Sequence, residues 1–147
     1  MKKILIVEDQ SGPLEALESA VKRVAPKYFP ELHCDTARCY EDAQRMIQDS
    51  YDQDSYDIVL LDHRMPIKNT GDLEDTDFQA FSNSLRNAGY SLIDEIKRHN
   101  SRTVVIGTSS LPQSELGRQS SPDYTMSKQW GEAERDLDRI FSEVNRT

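Results

Sequence analysis

The sequence predicts an α/β fold in which a parallel β-sheet is covered by helices on both faces. Two observations lead to this expectation. Short apolar runs, at residues 4–7 and 58–61, have the length and composition of strands buried on both faces of a parallel sheet. The segments between such runs carry apolar residues at helical spacing, and strands that alternate with helices are typical of a doubly wound sheet.

The elements can be followed from the N-terminus. The first helix begins near Ser11, where Pro13 suits a first helical turn, and Pro26 ends it. The third strand ends at Asp62. The other predicted elements, in chain order, are a strand at 32–36, a helix around 43–47, a helix at 92–99, a strand at 103–108, a strand at 124–126 and an amphipathic helix at 133–144.

Length and charge limit the function classes. The 147 residues fit one domain, and we expect residues 1–147 to form it, with no separate output domain. The 26 acidic residues outnumber the 18 Lys and Arg, and this net charge of −8 argues against binding nucleic acid through its phosphates. No apolar run approaches the roughly 20 residues of a membrane span. We therefore expect a cytoplasmic protein with no membrane partner.

Acidic residues directly follow two of the predicted buried strands. Asp62 comes after the run at 58–61, and Glu8 and Asp9 come after the run at 4–7. Parallel strands present their carboxyl ends at one edge of the sheet, where such sheets bind ligands. Three carboxylates in one crevice suit a hard divalent cation such as Mg²⁺. Without a metal they repel each other, which predicts a raised pKa for at least one of them.

The order of these pieces along the chain resembles the receiver domains of two-component response regulators. The resemblance rests on Glu8-Asp9, on Asp62 within Asp-x-x-Met-Pro, on Thr108 at the end of a strand and on Lys128 after the fifth strand. Taken alone, Asp62 is more typical of a turn cap than of a catalytic residue, and Lys128 is equally typical of a surface lysine. Their convergence on one edge favours a site. The resemblance implies a flavodoxin-like, five-stranded parallel sheet of order 2-1-3-4-5.

The resemblance also implies roles for these residues. Asp62 would accept a phosphoryl group from a histidine kinase or a histidine phosphotransfer protein, and the protein would signal by contacting an unknown downstream protein. Lys128 and Thr108 would bind phosphoryl oxygens. The implied Mg²⁺ ligands are the side chains of Asp9 and Asp62 and the backbone carbonyl of Arg64, and Glu8 is either a further ligand or holds a metal-bound water.

One departure from the receiver pattern is an acidic insertion at about 67–88. Phe78, Phe81 and Leu85 in it are spaced for one face of a short helix. Long loops of this kind are either disordered or functional. We hypothesise a lid or a partner-docking element.

Further departures lie later in the chain. The pattern over 111–122 predicts only a short, poorly held helix, and Lys128-Gln129 stands where receivers have Lys-Pro. Thr125 occupies the position of the usual switch aromatic. His63 has no visible partner and is expected to be exposed.

Two other functions remain open from the sequence. The first is a receiver-like binding module that works without phosphorylation. The second is a phosphatase of the haloacid dehalogenase type, which also uses an Asp nucleophile and magnesium but expects a second Asp two residues later. Arg64 occupies that position.

Overall fold

The computed structural model describes residues 1–52, 54–109 and 121–146. Its strands are β1 Lys2–Val7, β2 Leu32–Ala37, β3 Ile58–Leu61, β4 Arg64–Pro66, β5 Leu85–Asn87, β6 Val104–Gly107 and β7 Tyr124–Thr125. Its α-helices are α1 Ser11–Val24, α2 Tyr40–Asp49, α3 Leu73–Thr76, α4 Phe78–Asn83, α5 Leu92–His99 and α6 Glu132–Arg146. The weak helix predicted over 111–122 falls almost wholly outside the described residues.

Five strands form one parallel sheet in the order β2-β1-β3-β6-β7. Numbered among themselves, these strands have the predicted order 2-1-3-4-5, so the predicted fold class is confirmed. The register pairs Val7 with Leu61 and Leu61 with Gly107. The carboxyl ends of β1, β3 and β6 therefore lie side by side.

The alternation of side chains along the strands divides the core into two halves. On one face, Ile6 and Leu60 pack with residues of α1 and α6, such as Leu17 and Phe141. On the other face, the strand residues that point the opposite way pack with residues of α2 and α5. The three inner strands β1, β3 and β6 have consecutive buried apolar residues because both of their faces are covered. No helix of the described residues is long and apolar enough to cross a membrane.

The chain between β3 and α5 contains secondary structure of its own. Strands β4 and β5 pair antiparallel, and the short helices α3 and α4 lie between them. The predicted single apolar face is wrong in part: Phe81 is buried, but Phe78 is 59% exposed. Helix α4 ends at Asn83, and the Ser84 hydroxyl caps it by donating to the Phe81 carbonyl. Leu85 therefore lies outside the helix and belongs to β5.

His63 closes the base of this segment, and its expected exposure was wrong. Its side chain is buried. Its Nδ1 accepts a hydrogen bond from the Tyr90 N–H at 3.0 Å, and its carbonyl accepts from the N–H groups of Ala88 and Gly89 at 3.0 and 2.8 Å. Burial lowers the pKa of His63 against the opposing effect of Asp62, which suits a neutral imidazole that accepts at Nδ1. The two ends of segment 64–88 therefore meet at His63.

Candidate functional site

The main sheet positions the predicted site residues through backbone hydrogen bonds that continue past the strand ends. The Asp62 N–H donates to the Val7 carbonyl at 3.2 Å, and the Thr108 N–H donates to the Leu61 carbonyl at 3.0 Å. The Glu8 N–H donates to the Ala37 carbonyl at 3.0 Å. These side chains therefore start from fixed backbone positions at one edge of the sheet.

Three carboxylates meet at this edge. Glu8, Asp9 and Asp62 are all buried, and each offers an oxygen within 4.8 Å of the others. Burial, followed by repulsion from Asp62, raises the pKa of Glu8 to about 8 and that of Asp9 to about 7. The predicted pKa increase is thus confirmed, and the cluster stores unfavourable electrostatic energy that a cation can relieve.

Lys128, which follows the edge strand β7, places its ammonium beside two of these acids. Its Nζ lies 3.1 Å from Glu8 Oε2 and 3.3 Å from Asp62 Oδ2. Burial lowers the pKa of Lys128, but Asp62 and Glu8 outweigh burial and the net pKa is raised. The ammonium is therefore held in its charged form between two strands.

The loop around Lys128 holds its place without the proline of the receiver pattern. The Ser127 N–H donates to Asp136 Oδ2 of α6 at 2.8 Å, and the Gln129 N–H donates to Ser127 Oγ at 3.1 Å. Two hydrogen bonds therefore fix the chain on both sides of Lys128. Trp130 follows directly and is 62% exposed.

Thr108 directly follows β6, and its hydroxyl has no hydrogen-bond partner among the described residues. The Thr108 residue is 2% exposed, and its Oγ1 is buried without a hydrogen bond to any described residue. A buried hydroxyl left in this way costs free energy, and such groups are common where a ligand completes the site. Thr108 can therefore donate to an oxygen bound beside Asp62.

Arg64 lies two residues beyond Asp62, where it opens β4. Its side chain is exposed, and it pairs with Asn87 of β5 in the small sheet. The predicted role concerns only its backbone carbonyl and stays a prediction.

Sequence reasoning missed a packed group beneath the site. Tyr90 is buried against His63, with ring centroids 4.6 Å apart, and its hydroxyl accepts a hydrogen bond from the Ser109 backbone. A Cβ on Gly107 would overlap the Tyr90 hydroxyl, and a Cβ on Gly89 would overlap the Asp62 carbonyl oxygen. Two glycines with no periodic pattern therefore permit the close packing under Asp62 and Thr108.

The donors fit a hard divalent cation. Opposite ligands of an octahedral Mg²⁺ stand about 4.2 Å apart, twice a bond of about 2.1 Å. One carboxylate oxygen from each of the three acids lies within 4.8 Å of the others, which is close to that span. All the side-chain ligand atoms are carboxylate oxygens, and such ligands suit Mg²⁺ and Mn²⁺ better than Zn²⁺.

The fold is shared with solved structures. A response regulator receiver domain protein from Clostridium thermocellum matches with a TM-score of 0.65 and 17% identity, over 99% of this chain and 95% of that chain. The BeF3-activated DrrB receiver domain matches with a TM-score of 0.63 and 17% identity, over 100% and 99%. The Mn²⁺-bound form of the response regulator Rcp1 matches with a TM-score of 0.57 and 18% identity, over 99% and 91%.

Comparisons based on sequence alone do not find this relationship. No protein-family model matches it. No curated protein matches it at a significant level. Identities of 17–18% to the three structures establish similarity of fold. The chain therefore has, over nearly its whole length, the fold of the response regulator receiver domains.

Proposed function

We propose that residues 1–147 act as one receiver domain, which accepts a phosphoryl group on Asp62 in a Mg²⁺-dependent reaction and signals through protein contacts. The observation that carries the proposal is the contact of Lys128 Nζ with Asp62 and Glu8, at 3.3 and 3.1 Å. These three residues follow three different strands, β7, β3 and β1, and are far apart in the sequence. A buried nucleophile beside acids and one fixed cation suits phosphoryl transfer.

Asp62 is the nucleophile in this proposal. One of its oxygens forms a bond to the phosphorus of a phosphohistidine, while the bond from phosphorus to the imidazole nitrogen breaks. The nitrogen keeps the electron pair and takes up a proton. The product is an acyl phosphate on Asp62 and a neutral histidine on the donor.

The neighbouring residues stabilise the charge that this step brings into the pocket. Lys128 pairs with Asp62 before transfer and with a phosphoryl oxygen afterwards. The Thr108 hydroxyl, which has no partner among the described residues, donates to another phosphoryl oxygen. The buried surroundings strengthen both interactions because little water screens them.

Glu8, Asp9, Asp62 and the Arg64 carbonyl are the proposed ligands of the metal. Bound Mg²⁺ would neutralise the repulsion among the acids and the incoming phosphoryl oxygens. The Mn²⁺-bound form of Rcp1 supports a divalent cation in a protein of this fold. The raised pKa values of Glu8 and Asp9 support it too, since a cation favours their ionised forms.

The proposed partners are a histidine kinase or a histidine phosphotransfer protein as donor, and a downstream protein as target. The net charge of −8 supports protein rather than nucleic acid as the target. Such a donor would place the protein in the cytoplasm. Movement of Thr108 toward the phosphoryl group would shift the equilibrium between two conformations of the neighbouring surface.

The test is phosphoryl uptake with Mg²⁺ and acetyl phosphate, followed by intact-protein mass spectrometry. We expect the parent to gain one phosphoryl group and Asp62→Asn to gain none. Asp57→Asn is the matched control, because Asp57 stands at the opposite end of the same strand. We expect that control to behave like the parent.

Two outcomes would overturn the proposal. Uptake by Asp62→Asn would assign the phosphoryl group to another residue. No uptake by the parent, together with no binding of BeF3⁻ in the presence of Mg²⁺, would favour the phosphorylation-independent binding module.

A further inference from the structure

The N-terminus of α1 lies beside Asp9 and is capped by a residue from far along the chain. Gln10 occupies the N-cap position without a side-chain capping bond, and the first turn contains no acidic residue. The Ser11 N–H donates instead to both carboxylate oxygens of Glu74, at 3.1 and 3.2 Å. A carboxylate at this position satisfies a free N–H and complements the helix dipole.

Glu74 comes from α3, a short helix with little else to hold it. This helix has no buried residue. The Glu74 side chain is nevertheless only 17% exposed, whereas its neighbours Asp72 and Asp75 are exposed residues. The contact with α1 therefore fastens the segment between β4 and β5 to the main domain.

Arg38 extends this contact to the backbone of Asp9. Its Nη2 lies 2.9 Å from the Asp9 carbonyl oxygen, 2.9 Å from Ser11 Oγ and 3.3 Å from Glu74 Oε1. Ser11 Oγ in turn donates to Glu74 Oε1 at 2.8 Å. Arg38 binds the backbone at residue 9 and Glu74 binds it at residue 11, so these contacts enclose the turn that carries Asp9.

Without a bound metal ion, electrostatic repulsion acts on the β1–α1 turn. Asp9 is 5% exposed, and the neighbouring Asp62 repels it. An outward shift of the β1–α1 turn would relieve this repulsion and would also misplace a ligand. The contacts of Glu74 and Arg38 oppose that shift.

We propose that Glu74 is a positioning residue, which acts through Ser11 and Arg38 to hold Asp9 where a divalent cation can bind it. The inference rests on the proposed function, in which Asp9 is a metal ligand. The segment between β4 and β5 is then a structural support of the metal site. Removal of a group bonded directly to a metal ligand typically changes metal affinity by about 10–100-fold, and because Glu74 acts through Ser11 and Arg38 we expect the lower end of this range.

The test compares two variants of the same short helix. Glu74→Ala and Asp75→Ala each remove one negative charge, but only Glu74 contacts α1. Mg²⁺ affinity is measured by calorimetry, and the amide shifts of the metal-free proteins are measured by NMR. For Glu74→Ala we expect about tenfold weaker Mg²⁺ binding and a displaced Ser11 amide resonance. For Asp75→Ala, whose charge is screened by solvent, we expect less than about a threefold change and an unmoved Ser11 resonance.

A conservative variant separates positioning from simple loss of stability. Glu74→Gln keeps an oxygen that can accept from Ser11, so we expect it to recover part of the lost Mg²⁺ affinity. Equal weakening in Glu74→Ala and Asp75→Ala would overturn the inference, since only overall charge would then matter. A displaced Ser11 resonance with unchanged Mg²⁺ affinity would overturn it too, by reducing Glu74 to a helix cap. Failure of the parent to bind Mg²⁺ would instead count against the proposed function.

Discussion

Strand β3 has an aspartate at each end, and the two have opposite surroundings. Asp57 precedes the strand, and its Oδ2 accepts a hydrogen bond from the Lys3 N–H at 2.8 Å. Asp62 follows the strand and shares one ammonium, that of Lys128, with Glu8. The Asp57 carboxylate thus has a hydrogen-bond donor of its own, whereas the Asp62 carboxylate shares its donor with Glu8. The same residue type therefore stabilises the sheet at one edge and stores electrostatic energy at the other.

The largest expected effect comes from breaking the packing at the Asp62 end. An added Cβ at Gly89 would overlap the Asp62 carbonyl oxygen, which the sheet holds in place. We expect Gly89→Ala to lower the free energy of unfolding by roughly 3 kcal/mol or more, measured by urea denaturation. The control is Gly12→Ala, where nothing lies within 4 Å of the added Cβ. Pro13 follows directly and disfavours helical backbone for a residue with a Cβ, so we expect Gly12→Ala to change the free energy of unfolding by less than about 1 kcal/mol. Equal losses in both variants would contradict the prediction.

The next effect concerns pH and the metal. The folded-state pKa values of Glu8, about 8, and Asp9, about 7, lie above the ordinary values of 4.5 and 3.8. The folded protein thus holds more protons than the unfolded chain between these limits, and stability present below about pH 4 is lost as the pH rises toward 8. In EDTA we therefore expect the free energy of unfolding to decrease steadily from about pH 4 to about pH 8.

Mg²⁺ should reverse that trend, because it binds the ionised carboxylates and its stabilisation grows with pH. The measurement is urea denaturation at several pH values, with EDTA or with excess Mg²⁺. Parallel curves in the two conditions would show that these acids do not bind the metal.

The smallest effect sharpens the comparison of the two aspartates directly. Asp57→Ala leaves the Lys3 N–H without its acceptor, so we expect a loss of about 1–2 kcal/mol. Above pH 8, where Glu8 and Asp9 are both ionised, Asp62→Asn removes one of three repelling charges, so we expect a gain of about 1 kcal/mol in metal-free protein. Chemical denaturation of both variants in EDTA tests the signs. A loss of stability in Asp62→Asn would mean that its pairing with Lys128 outweighs the repulsion.

The fold and the meeting of distant residues could be predicted because they follow from the periodicity of the buried strands. An apolar run buried on both faces leaves little choice of element, and parallel strands all end at one edge. Asp62 and Thr108 therefore had to be neighbours once β3 and β6 were adjacent. Lys128 also reaches this edge, although Gln129 replaces the expected proline, because Asp136 and Ser127 hold the loop.

The segment between β3 and α5 could not be predicted in the same way. Strands of three residues show no useful alternation, and this is why Leu85 was assigned to a helix. The contact between Glu74 and Ser11 joins polar residues 63 positions apart and leaves no pattern in the sequence. The burial of His63 depends on Tyr90, Ala88 and Gly89, which approach it only after the segment has folded.

Trp130 gives the protein a natural optical reporter. It is the single tryptophan of the chain, it is 62% exposed, and it follows Lys128 by two residues. An indole in water emits at long wavelength and responds to changes in nearby charge and solvent. Its fluorescence can therefore report, without a dye or an engineered label, whether the environment of the Lys128 loop changes when Mg²⁺ or a phosphodonor is added.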